Sequence, residues 1–401
     1  MNASTGTLAG IKVIDLTRIL SGPYGSQILA DHGATVIKVE PPAGDETRDW
    51  GPPFRDGTAS YFVGVNRNKR SIALDLTKPE GREVLFRLLE DADVLFENFK
   101  TGQLAKWGLD YETVLKDRFP RLVYAQISGF GPDGPLGGLP GYDAAVQASS
   151  GLMSINGSPE SGPVRLGTPI VDLGTGLNAV IGILMALLER QRSGRGQHVE
   201  CSLYDVGISL LHPHAANYFM SGDPPKLLGN SHPNICPYDQ YKTKTRPIFL
   251  AVGNDTQFRR LCQVLGVADL PADPRFKSNR DRVAHRAELN RILLDLLLQH
   301  DGPALASQLL DAGVPVGPVQ SIPEVMDDAH TRHRDMVVEM DGYRGTGIPL
   351  KFTRTPGTAR TKPPAFGAEG ADILAEHGFS AGEIAGLKEA GVLFEERKKG
   401  R

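Results

Sequence analysis

For its first 130 residues the chain repeats one unit: an apolar, β-branched run, a turn, then a helical stretch. Strands are expected over 11–17, 34–40, 71–76, 93–99 and 122–128. Helices are expected from Gly22-Pro23 to about Gly33, and from Pro79 to about Ala92. Gly33 suits a helix C-terminus and Pro79 a first helical turn. Strands that alternate with helices imply right-handed crossovers and a mostly parallel sheet. The fold class is therefore α/β.

Further along, 129–141 is dense in glycine and proline and reads as a loop, as does 157–176. An apolar helix is expected over 176–190, a strand over 198–203, then a helix carrying His212 and His214. A linker rich in Gly, Pro, Asn and His spans 222–237. A smaller α/β unit follows, with a strand over 248–252, helices to about Leu310 and a return through 314–319. The expected division is 1–222 for the first part of a large domain, 223–320 for linker and small domain, and 321–401 for a segment that must dock back.

Composition narrows the function. In 401 residues, 44 basic and 47 acidic side chains leave a net charge of −3. Nucleic acid is not an expected partner, because neutralising phosphates needs a basic excess. Cys201, Cys236 and Cys262 are odd in number and lack metal-ligand spacing, as expected of free thiols in a reducing compartment. Residues 1–6 have no basic or apolar run of a secretion signal. The apolar run 179–188 is too short to span a bilayer. A cytoplasmic protein without a membrane partner is expected, with fraying over 395–401.

In an open parallel sheet, ligands bind beyond the carboxyl ends of the strands. Those ends are Leu20-Ser21, Pro41-Pro42, Leu76-Thr77, Asn98-Phe99-Lys100 and Gly129. Arg67, Lys69, Arg70, Lys78, Lys100 and Lys106 lie nearby. They would suit a phosphate-bearing ligand, or are solvated loop charges. Gly129-Phe130-Gly131-Pro132-Asp133-Gly134 matches a dinucleotide fingerprint, but the surrounding prolines and glycines forbid the helix that motif requires. His212/His214 and His330/His333 lack a third ligand at a recognisable spacing, so no metal site is expected.

Asp172 lies within Thr168-Pro-Ile-Val-Asp-Leu-Gly-Thr-Gly176, between an apolar stretch and the long helix. An N-capping aspartate is the plain reading. The same place also suits catalysis, because a helix N-terminus stabilises carboxylates and developing oxyanions. Gly174 and Gly176 would let a large substrate approach, and the N–H of Gly174 or of the Gly-rich loops would hold an oxyanion.

The chain resembles the family III CoA-transferases over nearly its whole length. The resemblance rests on Gly10-Ile-Lys-Val-Ile-Asp-Leu-Thr17, Ser21-Gly-Pro23, Gly33-Ala-Thr-Val-Ile-Lys-Val-Glu40, Asn66-Arg-Asn-Lys-Arg-Ser71, Glu97-Asn-Phe99, Gly129-Phe-Gly131, Gly141-Tyr-Asp143 and Arg192-Ser-Gly-Arg-Gly-Gln197. It implies a Rossmann-like large domain built from both chain ends, a smaller inserted α/β domain, and an interlocked, ring-shaped homodimer. It places the family's catalytic aspartate on Asp172. It places CoA contacts on Leu20, Ser21, Leu74, Asp75, Leu76, Thr77, Asn98, Phe99, Lys100, Lys106, Gly141, Tyr142 and Asp143. CoA is a substrate, and no resident cofactor or metal is implied. The chain departs from formyl-CoA transferase at Pro41 and Pro140, where that enzyme has an arginine and a lysine, and in lacking its glycine loop. These departures argue against oxalate as acceptor.

Two further features bear on chemistry. The racemases of this group use a histidine in a Gly-His-Asp triplet, whereas Gly141-Tyr142-Asp143 offers a phenol, a poor base at neutral pH. Gly229-Asn-Ser-His232, Pro237-Tyr238 and Gly347-Ile-Pro-Leu350 resemble the branch that uses succinyl-CoA and dicarboxylates such as glutarate, itaconate or sulfinopropionate. A carboxylate acceptor needs a cation, best a bidentate arginine. Arg18 is the candidate, and a surface ion pair is its alternative role. A nucleophilic Asp172 must be ionised, so a low pKa is expected there, and a raised one would count against that role. Racemase and non-catalytic CoA-binding protein are the competing readings.

Overall fold

The computed structural model describes residues 5–398. The readings of residues 1–4 and 399–401 lie outside that range. The chain falls into two compact units. The larger comprises the chain up to Ser150, Gly167–Leu210 and the chain from Ala329 onward. The smaller comprises Gly151–Leu166 and Leu211–Asp328.

The elements that matter, in chain order, begin with β1 (Lys12–Asp15), α1 (Ser21–Asp31), β2 (Thr35–Glu40) and β3 (Lys69–Leu74). Next come α2 (Pro79–Leu89), β4 (Val94–Glu97), α3 (Gln103–Lys106), β5 (Val123–Ser128) and α4 (Asp143–Ser149). The long α5 (Ile170–Ser193) leads through Gly194 into β6 (His198–Ser202) and α6 (Leu203–Ser209). In the smaller unit, β7 (Tyr238–Tyr241), β8 (Ile248–Ala251) and β9 (Val316–Pro318) form an antiparallel sheet. Its helices include α7 (Asp255–Val264), α8 (Arg286–Leu297) and α9 (Gly302–Asp311). Back in the larger unit come α10 (Gly370–Glu376), α11 (Ala381–Glu389) and β10 (Leu393–Phe394).

The main sheet runs β6-β5-β4-β1-β2-β3-β10. Its first six strands are parallel, and β10 pairs antiparallel with β3. Helices cover both faces of such a sheet, which is why its strands read as continuous apolar runs. Val13, Ile14, Ile72, Val94 and Leu95 are fully buried. Each such side chain contributes about 1.5–3 kcal/mol on burial. The order reverses at β1: β2 and β3 lie on one side, β4, β5 and β6 on the other. The crevice between β1 and β4 is therefore the switch point at which such sheets bind ligands.

Several expected boundaries shift: His212 lies in a turn before a helix over His214–Ser221, not inside it, and two changes bear on the site. β3 starts and ends two residues earlier than 71–76, so Leu76-Thr77 belongs to the turn beyond the strand. The long helix starts at Ile170, not at 176. Ile170-Val171 looks strand-like by side-chain type, yet both residues are helical. By length and composition alone α5 could cross a membrane, with a mean hydropathy of 1.9 over its most apolar window. Half of that window is buried inside the protein, as in a core helix.

Candidate active site

At the switch point, the ends of β1, β4 and β5 border a cavity of about 190 Å³. Arg18, Ser21, Asn98, Phe99, Lys100, Gly141, Tyr142 and Asp172 all line it. Residues separated by up to 154 positions thus meet where the sheet topology predicts a ligand. Gly129 and Gly141 are required to be small here, since a Cβ on Gly129 would sit 2.6 Å from the Gly141 nitrogen.

Asp172 occupies the first turn of α5; its carboxyl lines the cavity with Ser21, whose hydroxyl favours the ionised form. Pro169, the N-cap, has no side-chain acceptor to offer. The Asp143 carboxylate caps instead: its Oδ2 accepts from the N–H of Val171 (2.8 Å) and of Asp172 (3.1 Å). Asp172 is therefore not the capping residue.

The β1–α1 loop that carries Arg18 is held from below. The Asn98 side chain clamps the Arg18 backbone, with Oδ1 accepting its N–H (2.8 Å) and Nδ2 donating to its C=O (2.7 Å). Lys38 Nζ donates to the Thr17 carbonyl (2.7 Å) and to Asp45 (3.0 Å). Asp15 accepts from Thr17, Ser26 and Lys69. Glu40 takes both ends of Arg48 at 2.8 and 2.6 Å. Asp15, Lys38 and Lys69 are fully buried, and the opposite charges overcome the cost of desolvation by holding the Asp15 carboxyl low and the Lys38 ammonium high. The Lys69 amine, where burial outweighs Asp15, falls to about 8. Ile19, next along, has φ of 72°, which costs a β-branched residue about 1–3 kcal/mol and persists only where its surroundings dictate it.

Arg18 shows parts of both expected roles. Its Nη1 lies 3.5 Å from Glu46, and its guanidinium sits 5.3 Å from the Phe99 ring centre. Its Nε is buried without an acceptor among the described residues.

Other expected contacts stand apart from this cavity. Leu20 is buried at the start of α1. Leu74 to Thr77 lie at the end of β3, beside β10. Thr77 and Lys106 are exposed, while Asp143 is buried under α5. Arg67 and Lys69 are neither solvated loop charges nor open phosphate ligands. Arg67 grips Asp31 with two nitrogens (2.9 and 2.6 Å), and Lys69 donates to Asp15, Asn66 and the Pro23 carbonyl. Arg70 pairs with Glu376, and Lys78 reaches the Ala390 carbonyl.

Two residues were not anticipated. Glu97 ends β4 with its carboxyl buried, and that burial pushes its pKa up to about 7. It accepts from Tyr124, Gln126 and the Phe99 N–H, fixing the Asn98-Phe99 turn. Tyr61 is pushed up by burial and by the charges of Asp172 and Asp143, which places its phenol near both carboxylates. An acid closing an apolar strand was a visible signal for Glu97; nothing local marked Tyr61.

The sequence profile of CoA-transferase family III matches residues 8–370. The chain belongs to that family. It is 44% identical to a succinate–glutarate CoA-transferase of Agrobacterium fabrum, over 92% of this chain and 95% of the relative. It is 39% identical to an acetyl-CoA:oxalate CoA-transferase of Acetobacter aceti, over 87% of this chain and 90% of that one. The crystal structure of a CaiB/BaiF family protein from Brucella suis superposes with a TM-score of 0.83 at 42% identity, covering 93% of this chain and all of the other.

For a family III CoA-transferase, three expectations need correcting. The Asp172 carboxyl does not sit low: burial, then the charge of Asp143, raises it to about 7, against a smaller lowering by Ser21. Gly174 cannot lend its N–H to an oxyanion, because it lies past the first turn, where helical N–H groups are already bonded. Nor do the glycines make room for substrate. A Cβ on Gly174 would meet Val206 at 3.1 Å, and one on Gly176 would sit 2.4 Å from the Ser21 carbonyl oxygen, where α1 packs on α5.

Proposed function

We propose that this family member carries CoA from succinyl-CoA to a second dicarboxylate such as glutarate, with the Asp172 carboxylate as nucleophile. The observation that carries the reading is a carboxylate opening into the switch-point cavity beside a guanidinium. An Asp172 oxygen attacks the donor thioester carbonyl, and the C–S bond breaks to give CoA thiolate and a mixed anhydride. The thiolate then attacks the Asp172 carbonyl, releasing succinate and leaving an aspartyl-CoA thioester. The acceptor carboxylate attacks that thioester and expels the thiolate, which finally takes the acyl group and frees Asp172. Four smaller steps replace one difficult exchange.

Arg18 is the partner for the distal carboxylate of donor and acceptor, its partly exposed guanidinium lining the cavity. Ser21, Asn98, Phe99, Lys100, Gly141 and Tyr142 hold the CoA thioester end, with Leu20, Leu74 to Thr77 and Lys106 as further family positions; Asp143, whose carboxylate is taken by protein donors, is not among them. Support for a dicarboxylate comes from the name of the Agrobacterium relative; oxalate, in the name of the Acetobacter relative, is the rival acceptor. Incubating succinyl-CoA with glutarate, itaconate, 3-sulfinopropionate and oxalate, then separating the CoA esters by chromatography, tests this. Glutaryl-CoA should form faster than oxalyl-CoA. Absence of exchange with every acid, together with solvent exchange of an α-proton, would replace this reading with a racemase.

A pKa of about 7 leaves Asp172 half ionised at neutral pH. Only the ionised fraction attacks, so kcat/KM should rise about tenfold per pH unit below 7 and level off above about 8. A profile flat from pH 5.5 to 8 would remove Asp172 as the titrating nucleophile.

The same reading takes the larger unit as one Rossmann-like CoA-binding domain and the smaller unit, Gly151–Leu166 with Leu211–Asp328 in place of the expected 223–320, as the inserted domain, with two such chains as an interlocked cytoplasmic homodimer. Support for a dimer lies on α5, where Leu177, Ile181, Leu184, Met185 and Leu188 are exposed at helical spacing. Light scattering should give about twice the chain mass of 43.3 kDa, and Leu188→Asp should lower it. A monomeric wild type would refute the assembly.

A further inference from the structure

Asp143 lies outside the cavity lining, only 8% exposed, at the first position of α4. Three donors occupy its carboxylate. Oδ2 takes the N–H groups of Val171 and Asp172, and Oδ1 takes Gln147 Nε2 at 2.5 Å. The first turn of α5 thus receives its cap from another helix, because Pro169 provides none. Unsatisfied N–H groups at a helix start attract the nearest carboxylate. An acidic side chain in the first turn, where Asp172 stands, is drawn to whatever N–H groups are free there; Pro169 offers none at the N-cap, which leaves those of Val171 and Asp172. With Asp143 already seated there, Asp172 is denied those donors. Its carboxyl instead meets the Ser21 hydroxyl and lines the cavity.

We propose that Asp143 is a positioning residue for CoA transfer: it occupies the N-terminal N–H groups of α5 and so keeps the Asp172 carboxylate turned out toward the thioester. This rests on Asp172 being the nucleophile. It differs from a CoA contact, because the carboxylate is spent on protein donors. The charge of Asp143 has a second effect, since it opposes ionisation of Asp172. The other titratable groups around Asp172 are Tyr61, Tyr142 and, across the cavity, Arg18, Glu46 and Lys100. An aspartate held away from its own helix dipole and near a like charge is a stronger base, hence a better nucleophile once ionised.

Two variants separate the effects. Asp143→Asn keeps an acceptor oxygen for the two N–H groups but removes the charge. Asp143→Ala removes both. In Asp143→Ala, kcat should fall by about 100-fold, the scale of a displaced reacting group, while the Kd for free CoA changes less than about threefold. In Asp143→Asn, kcat should fall by less than about tenfold, and the midpoint of the pH–kcat/KM profile should move to lower pH. Equal kcat in the two variants would overturn the proposal, as would an unmoved midpoint in Asp143→Asn. A Kd for CoA that weakens in step with kcat would also overturn it, in favour of a direct CoA contact. If Asp143→Ala fails to fold by thermal melting, the Asn variant and its pH midpoint decide alone. The nucleophile itself is checked separately, by mass analysis for a CoA adduct on Asp172 in the unmodified protein. Without that adduct the mechanism fails; with it, and with wild-type adduct formation rates in both variants, only the role of Asp143 fails.

Discussion

Asp172→Asn is expected to abolish CoA exchange, by at least about 10³-fold in kcat/KM, while leaving the folded protein more stable than the original at pH 8. The loss follows from chemistry: an amide of the same shape keeps a partner for the Ser21 hydroxyl but does not attack a thioester, and removing a nucleophile leaves only binding and orientation to act. The gain follows from linkage. The folded pKa of Asp172, about 7, lies above its unfolded value. Between the two, the folded state binds more protons, so the wild type loses stability as pH rises toward 7 and carries a fixed cost above it. The amide has no such cost. Because the side chain borders an open cavity and is partly solvated, the difference should be about 1–3 kcal/mol, smaller than the shift alone would give. Thermal melts at pH 5 and pH 8 check it: the advantage of Asp172→Asn should be clear at pH 8 and shrink at pH 5. A destabilised variant at pH 8 would mean that its inactivity reports misfolding rather than chemistry.

The second large effect lies under the β1–α1 loop. Asp15→Ala should destabilise the fold by about 3–5 kcal/mol, the usual result of removing one member of a buried ion pair. Asp15 is fully buried and receives Thr17, Ser26 and Lys69. Its removal leaves the Lys69 ammonium in a dry site with only neutral acceptors, and frees the backbone leading to Ile19 and Arg18. Denaturant titration measures the loss. A change below about 1 kcal/mol would mean that the network around Lys38, Asp45 and Lys69 relaxes around the deletion.

Sequence reading finds the parallel strands to within one or two residues, because strands covered on both faces are continuously apolar and punctuated by Gly and Pro. It also locates Arg18, Ser21 and Asn98-Phe99-Lys100, since strand ends are where a parallel sheet binds; Asp172 comes from the family resemblance, its position alone reading as a helix cap. It misplaced the start of α5 because Ile170-Val171 are β-branched and the cap comes from Asp143, far away in sequence. Buried charge was the harder problem. Arg67 and Lys69 look like surface cations until Asp31 and Asp15 are seen beside them. The raised pKa of Asp172 has the same origin, since no local pattern reports desolvation or a like charge from another helix.

The outer side of β3 is covered by late parts of the chain: Leu393–Phe394 pairs with it, the Asp75 N–H reaches the Val392 carbonyl, and Ser71 bonds through its N–H and its carbonyl to Glu369. A ribosome makes β3 more than three hundred residues before the segment that pairs with it. Throughout that interval the nascent sheet presents a row of open backbone donors and acceptors, the form most prone to join another chain. The order of synthesis thus places the risk of aggregation early, and relieves it only when the downstream segment arrives.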